Sequence, residues 1–358
     1  MSLESLGWNA HWEERFSTHR AHALEPARVS GQDRERYVVI DSGGTESAAE
    51  VTGRFRHEAD SSADYPAVGD WVALRPCELD GPRSIVAVLP RAGAFVRKRA
   101  GEVTEPQVVA ANVDTVFVIA GLDGDFNPRR IERFLATAWD GGAAPVLVLN
   151  KADLVDDLGA SLEEATACAP GVPVVAVSAA ESRGLEALVP WLESGRTVAL
   201  LGSSGVGKST LANALLGEER QSTGAVREAD SRGRHTTTRR ELLALPGGAW
   251  LLDTPGVREL QLWADESSLG DSFPEIAALA AACRFHDCRH QSEPGCAVLE
   301  AERDGSLPGE RLASWRKLQR EMRWIATRQD QRLRAEEHAK WKAIHRAQRQ
   351  HTKRNPKR

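Results

Sequence analysis

The period of the apolar positions changes along the chain, and each change marks a different kind of element. Trp8, Trp12 and Phe16 recur at helical spacing, so residues 1–25 are expected to hold a short packed helix. Residues 26–100 switch to short β-rich runs: RYVVI (36–40), EVTGRF (50–55), DWVAL (70–74) and SIVAVL (84–89). Turn formers such as Ser42-Gly43-Gly44 and Asp80-Gly81-Pro82 separate them, a pattern that predicts a small closed barrel of the oligonucleotide-binding (OB) type. Across residues 101–265, continuous apolar runs alternate with helical stretches. VDTVFVIAGL (113–122), PVLVLN (145–150), VPVVAVS (172–178) and TVALL (197–201) read as buried strands, and 129–140 and 209–216 as helices. ELLAL (241–245) and AWLLD (249–253), joined by Pro246-Gly247-Gly248, close the series. Such alternation predicts an α/β domain with a mostly parallel sheet. Residues 266–328 return to a helical period, over 273–282 and 308–325, with Leu312, Trp315, Met322 and Ile325 near one face. Beyond that lies a tail, 329–358, with few large apolar residues.

Composition adds a location and a charge asymmetry. With 41% hydrophobic and 27% charged residues the chain reads as soluble and globular, and no run approaches a membrane span or a signal-peptide core. Five cysteines, three of them clustered, do not form a disulfide framework, so a cytoplasmic, monomeric protein with no membrane partner is expected. Arg311 to Arg358 holds 16 Lys or Arg against 4 Asp or Glu, although the whole chain carries −5. A basic tail on an acidic body predicts a polyanionic partner.

Chemistry concentrates in a phosphate loop, Gly202-Ser203-Ser204-Gly205-Val206-Gly207-Lys208-Ser209-Thr210, set between a strand and a helix. Its amides would cradle phosphates, Lys208 would reach the β- and γ-phosphates, and the Ser209 hydroxyl would ligate magnesium. Asn150-Lys151-Ala152-Asp153 follows a strand directly. A carboxylate there accepts from the ring N–H and exocyclic amine of guanine, a pair that adenine lacks, so GTP and GDP are the expected ligands. Ser178-Ala179, after the next strand, fits the loop that donates to the guanine carbonyl. The loop Gly233 to Thr238 (GRHTTT) supplies three threonines, Thr237 among them, for the magnesium shell, and their order does not choose between them. Asp253-Thr254-Pro255-Gly256 follows a strand; Asp253 would hold a magnesium-bound water and the Gly256 amide the γ-phosphate. Farther on, Cys283, Cys288 and Cys296 with a histidine, His290 or His286, have the composition of a closed structural zinc site. Cys77 and Cys168 look inert.

The order of these motifs is diagnostic. In Ras-like GTPases the phosphate loop comes first and the guanine reader late, whereas here Asn150–Asp153 precedes Gly202 and the switch motifs follow it. The domain is circularly permuted. Together, the barrel, the GRHTTT loop and the cysteine cluster resemble the ribosome small-subunit-dependent GTPase A family of circularly permuted GTPases, over about residues 8–325. The resemblance implies His290 as the fourth zinc ligand, stimulation by the small ribosomal subunit, contact with its rRNA, and a role in late subunit maturation. Val257 stands where Ras-like proteins carry the water-orienting glutamine, so slow intrinsic hydrolysis is expected, with His235 a candidate catalytic group in cis. The rival readings are a nucleotide-gated RNA-binding module or RNA chaperone with incidental hydrolysis, and a metabolic kinase. Asn150–Asp153 and the absence of an evident acceptor site weaken the kinase reading.

Overall fold

A computed structural model describes residues 2–33, 36–76, 81–98, 106–124, 126–218, 240–253 and 273–329. Cys77, His235, Thr237, Gly256, Val257 and the tail beyond Gln329 lie outside the described residues. The chain divides into two compact units, Met1–Gln261 and Leu262–Arg358.

In the first unit, Asn9 accepts from the amides of His11 and Trp12 and so starts helix α1 (Ala10–Arg20). Trp12 and Phe16, one turn apart on α1, are buried, and Trp8 meets Trp71 edge-on with ring centroids 4.8 Å apart. Strands β1 (Glu25–Asp33), β2 (Arg36–Asp41) and β3 (Glu46–Val51) form a meander, followed by helix α2 (Gly53–Glu58), β4 (Trp71–Leu74) and β5 (Arg83–Val88). The pairing order is β1-β2-β3-β5-β4, and β4 returns to β1, which closes a five-stranded OB-like barrel. The expected strand over 50–55 ends early, at Val51. The Thr52 hydroxyl accepts from the Phe55 amide at 3.2 Å and caps α2 instead.

A separate hairpin, β6 (Ala94–Lys98) with β7 (Pro106–Ala111), leads into the α/β layer. There β8 (Thr115–Gly121) is buried at every position, as a strand covered on both faces must be. Helix α3 (Pro128–Asp140) is capped by Asn127 with Pro128 in its first turn. It is followed by β9 (Ala144–Asn150), α4 (Leu158–Cys168), β10 (Val174–Ala176), β11 (Thr197–Gly202), α5 (Lys208–Leu216), β12 (Arg240–Ala244) and β13 (Trp250–Asp253). The strand order is β10-β9-β8-β11-β13-β12, parallel except for the β12–β13 pair. The phosphate-loop strand β11 thus lies between β8 and β13, while the guanine-reader strand β9 precedes it in sequence. This is the permuted arrangement.

Barrel and α/β layer share one sheet of eleven strands. On one edge of β1, Glu25–Arg28 pair with β4 and Gly31 and Gln32 with β12, while on the other edge the register with β2 shifts between Val29 and Gly31. The junction is dry and polar in part. Arg28, 2% exposed, donates to the Leu6 carbonyl and, at 2.6 Å, to the Thr197 hydroxyl at the start of β11, with Trp71 beneath its guanidinium. Its Nε has no partner among the described residues, and burial pushes its pKa down to about 10. Arg240 Nη1 donates to Gln32 Oε1 at 3.1 Å, and Trp250 Nε1 to the Ser5 carbonyl at 2.8 Å. Gly7 (φ 94°) comes so close to Gly195 that a Cβ there would meet its carbonyl oxygen at 2.6 Å.

The second unit packs α6 (Pro274–Ala281), α7 (Ala297–Asp304) and α8 (Gly309–Gln329) over Phe273, Ile276, Val298, Leu312 and Trp315. Arg311 lies 4.3 Å from the Phe273 ring centroid and donates to Glu275 at 2.6 Å. No helix among the described residues is long and apolar enough to cross a membrane.

Candidate nucleotide site and metal centre

The nucleotide motifs meet at the carboxyl ends of β9, β11 and β13, the edge of a parallel sheet where ligands bind. Asn150, the last residue of β9, is 2% exposed and joins two loops. Its Nδ2 donates to the Val206 carbonyl in the phosphate loop at 2.9 Å, and its Oδ1 accepts from the Ala179 amide at 3.0 Å. Gly207 (φ 94°) sits so close that a Cβ would collide with Asn150 Nδ2. Base loop and phosphate loop are therefore held in register by one amide.

Lys151 takes a left-handed conformation (φ 66°) and pairs with Asp123, which follows β8. Asp123 is absent from the motifs read in the sequence; the signal for it is its place in the turn after a buried parallel strand. Ala152 and Asp153 begin a single 3-10 turn. The Ser178 hydroxyl, aided by Arg183 and Lys151, holds the Asp153 carboxyl below the usual carboxylate range. Asp153 Oδ1 is shielded from water and has no hydrogen-bond partner among the described residues. An ionised, solvent-shielded oxygen without a donor fits the guanine N–H that the motif requires. Ser178 is buried and closes a small loop through two backbone bonds with Arg183, of 2.9 and 3.0 Å.

In the phosphate loop, Lys208 opens α5 and turns its ammonium back onto the Gly202 carbonyl, at 2.7 Å, and the Ser203 carbonyl. Ser203, Ser204, Gly205 and Val206 make the turn; Ser209 and Thr210 occupy the first helical turn. No side chain caps α5, so its N-terminal amides are not taken up by a capping residue. Asp253 ends β13 on the same edge. His235, Thr237 and Gly256 cannot be placed, being outside the described residues.

The second unit brings Cys283, Cys288, His290 and Cys296 together, with all four ligand atoms within 4.8 Å of one another. Cys283 Sγ lies 3.9 Å from Cys296 Sγ, and His290 Nδ1 lies 3.6 and 3.4 Å from the two sulfurs. Bonds of about 2.3 Å to sulfur and about 2.0 Å to nitrogen around one zinc give tetrahedral edges of about 3.8 and 3.5 Å, so the donor set fits that ion. His286 is exposed and outside the cluster. Burial holds the His290 imidazole below its usual pKa, which keeps it neutral. Its carbonyl accepts from Arg316 Nη2 at 2.7 Å, and its ring packs on Trp315. Burial and the neighbouring thiols of Cys296 and Cys283 push Cys288 up to about 11 in the absence of metal. Between the ligands, Glu293 accepts from the amides of Arg289, Gln291 and Ser292 at 2.8–3.1 Å, and these bonds hold its pKa at about 2.

Known proteins resemble this chain in sequence and fold. A family model described as RsgA GTPase matches residues 88–263. The "Small ribosomal subunit biogenesis GTPase RsgA" of Opitutus terrae is 51% identical, over 98% of this chain and 97% of that protein. The chain belongs to the RsgA GTPase family. A relative of the same name in Streptomyces avermitilis is 48% identical over 95% of the chain and 91% of its own. The crystal structure of YjeQ from Thermotoga maritima superposes with a TM-score of 0.64 at 28% identity, covering 84% of this chain and 98% of that one. YloQ, a circularly permuted GTPase, matches in fold with a TM-score of 0.61 at 24% identity, over 85% and 96% of the two chains. A model for ABC transporters also matches residues 188–354, a span that includes the phosphate loop but not Asn150–Asp153.

Proposed function

We propose that this GTPase binds the small ribosomal subunit or its precursor and hydrolyses GTP there during late maturation, as a cytoplasmic monomer. The observation that carries the reading is the pair of hydrogen bonds of Asn150, donated to the Val206 carbonyl and accepted from the Ala179 amide, which ties the loop after β9 to the phosphate loop. The shielded Oδ1 of Asp153 supports guanine over adenine. In this reading the backbone of Gly202–Gly207 and the Lys208 ammonium hold the phosphates, Lys208 exchanging its present carbonyl partners for the β- and γ-phosphates. Ser209, with one threonine of 236–238, ligates magnesium, which neutralises phosphate charge; Asp253 and the Gly256 amide complete the γ-phosphate side. His235 is the group in cis that orients water in place of the missing glutamine. Cys283, Cys288, His290 and Cys296 hold a structural zinc that ties the loop between α6 and α7. The names of the relatives support the ribosomal partner.

GTP turnover with and without purified small subunits tests the reading, together with sedimentation in GDP and in a non-hydrolysable GTP analogue. Turnover is expected to rise steeply with subunits, and co-sedimentation to favour the analogue. Turnover indifferent to subunits would leave hydrolysis incidental to RNA binding.

A further inference from the structure

Among the described residues only three large hydrophobic side chains are exposed, and Phe285 is the one in the second unit, with 41% of its surface open. It stands in the four-residue span between two metal-cluster cysteines, Cys283 and Cys288. The span is rigid: the Arg284 amide donates to the Gly295 carbonyl at 3.1 Å, and the Cys288 amide to the Phe285 carbonyl at 3.2 Å. The stem of Arg284 lies on Gly295, whose absent Cβ would press on it at 3.2–3.3 Å. From there its guanidinium reaches over the Phe285 ring, 5.5 Å from the centroid. His286, Asp287 and Arg289, near it in sequence, are exposed. The nearby acid Glu293 is committed to three backbone amides, so Asp287 is the one acid on this loop without such a commitment.

An exposed aromatic ring on a metal-stapled loop has no packing reason to face water. A protein interface would need a contiguous apolar patch around it. Here the ring is the single exposed large apolar side chain among the described residues of the second unit, with the Arg284 guanidinium over it. A partly exposed ring with a guanidinium over it and a further exposed arginine on the same loop are parts with which RNA-binding modules hold an unpaired base and its phosphates. We propose that Phe285, flanked by Arg284 and Arg289, is a stacking platform for an unpaired base of RNA. The proposal rests on the ribosomal reading above and names the surface through which the second unit takes part in it.

The test uses full-length protein with Phe285→Leu and Phe285→Tyr, each first checked for bound zinc and for basal GTP turnover. Both should equal the unsubstituted protein, because Phe285 is neither a member of the Cys283, Cys288, His290 and Cys296 cluster nor one of the nucleotide-motif residues. Affinity for purified small subunits is then measured by sedimentation with the non-hydrolysable GTP analogue. Leucine, apolar but not planar, should weaken binding roughly tenfold, while tyrosine should retain it. Arg284→Ala should weaken binding less than Phe285→Leu. Equal affinity of the leucine and unsubstituted proteins would overturn the stacking role and leave the ribosomal reading standing. So would tyrosine falling with leucine, which would indicate a shape-specific contact. If the unsubstituted protein failed to sediment with subunits, the ribosomal reading would fall and the platform with it.

Discussion

Asp153 and Asn150 divide one task between them. In the proposed site the carboxylate would offer a charged acceptor to the base, and the buried amide, bonded to Val206 and Ala179, would fix where that acceptor stands relative to the phosphates. Hydrogen bonds to a charged group contribute about 1.5–3 kcal/mol, so Asp153→Asn should weaken GTP binding by at least tenfold and shift preference toward xanthosine triphosphate. Competitive titration of a fluorescent nucleotide measures both effects; unchanged GTP affinity would remove Asp153 from the role. Asn150→Ala should cost as much or more in affinity without altering base preference, because it loosens the brace and leaves the reader chemistry intact. Lys208→Ala should abolish tight triphosphate binding. These residues are legible in the sequence because four-residue motifs after apolar runs need no tertiary information. Asp123 and Ser178's hydroxyl bond to Asp153 are not, since they depend on which loops the sheet brings together.

At the scale of elements, the α/β strands declare themselves because strands buried on both faces are uninterrupted apolar runs. β1 is hidden by Pro26 and Gly31, residues that usually end strands; here the proline sits near the strand's start and the glycine beside a register shift. α2 is hidden because Val51-Thr52-Gly53-Arg54-Phe55 alternates like a strand, and only the Thr52 cap decides otherwise. α4 is weakly patterned and α7 is only eight residues long, so packing selects them.

In the proposed reading, the stability of the loop that carries Cys283, Cys288, His290 and Cys296 would be set by a bound zinc. Burial and the neighbouring thiols push Cys288 up to about 11, while, against burial, backbone and thiol hydrogen bonds hold Cys283 below the ordinary thiol value and burial holds His290 below its own, so zinc would displace the Cys288 proton on binding. Zinc release to a chromogenic chelator should therefore quicken as pH falls from about 8 to about 6, and retention flat across that window would contradict the thiol-rich assignment. Glu293→Ala removes three hydrogen bonds accepted from backbone amides of the same loop and should weaken zinc retention by about tenfold at neutral pH, with nucleotide affinity unchanged.

For the whole molecule, the charge imbalance and the shared sheet matter most. Ending the chain after Arg328 should lower affinity for small subunits most at low ionic strength, with the salt slope falling by about one unit for each phosphate that the tail would have neutralised. A truncated protein matching the full chain at every salt concentration would mark the tail as mere solvated extension. The shared sheet has a different consequence, one of timing. Gln32 and its partner Arg240 are 208 residues apart. At about 5–20 residues per second, synthesis leaves the end of β1 without β12 for roughly 10–40 s. Over that interval a nascent barrel exposes the unpaired edge at Gly31 and Gln32, and Trp8 and Trp12 wait beside an unfinished junction. A protein whose relatives are named for ribosome biogenesis is thus itself a slow passenger on the ribosome, its first strand among the last to be fully paired.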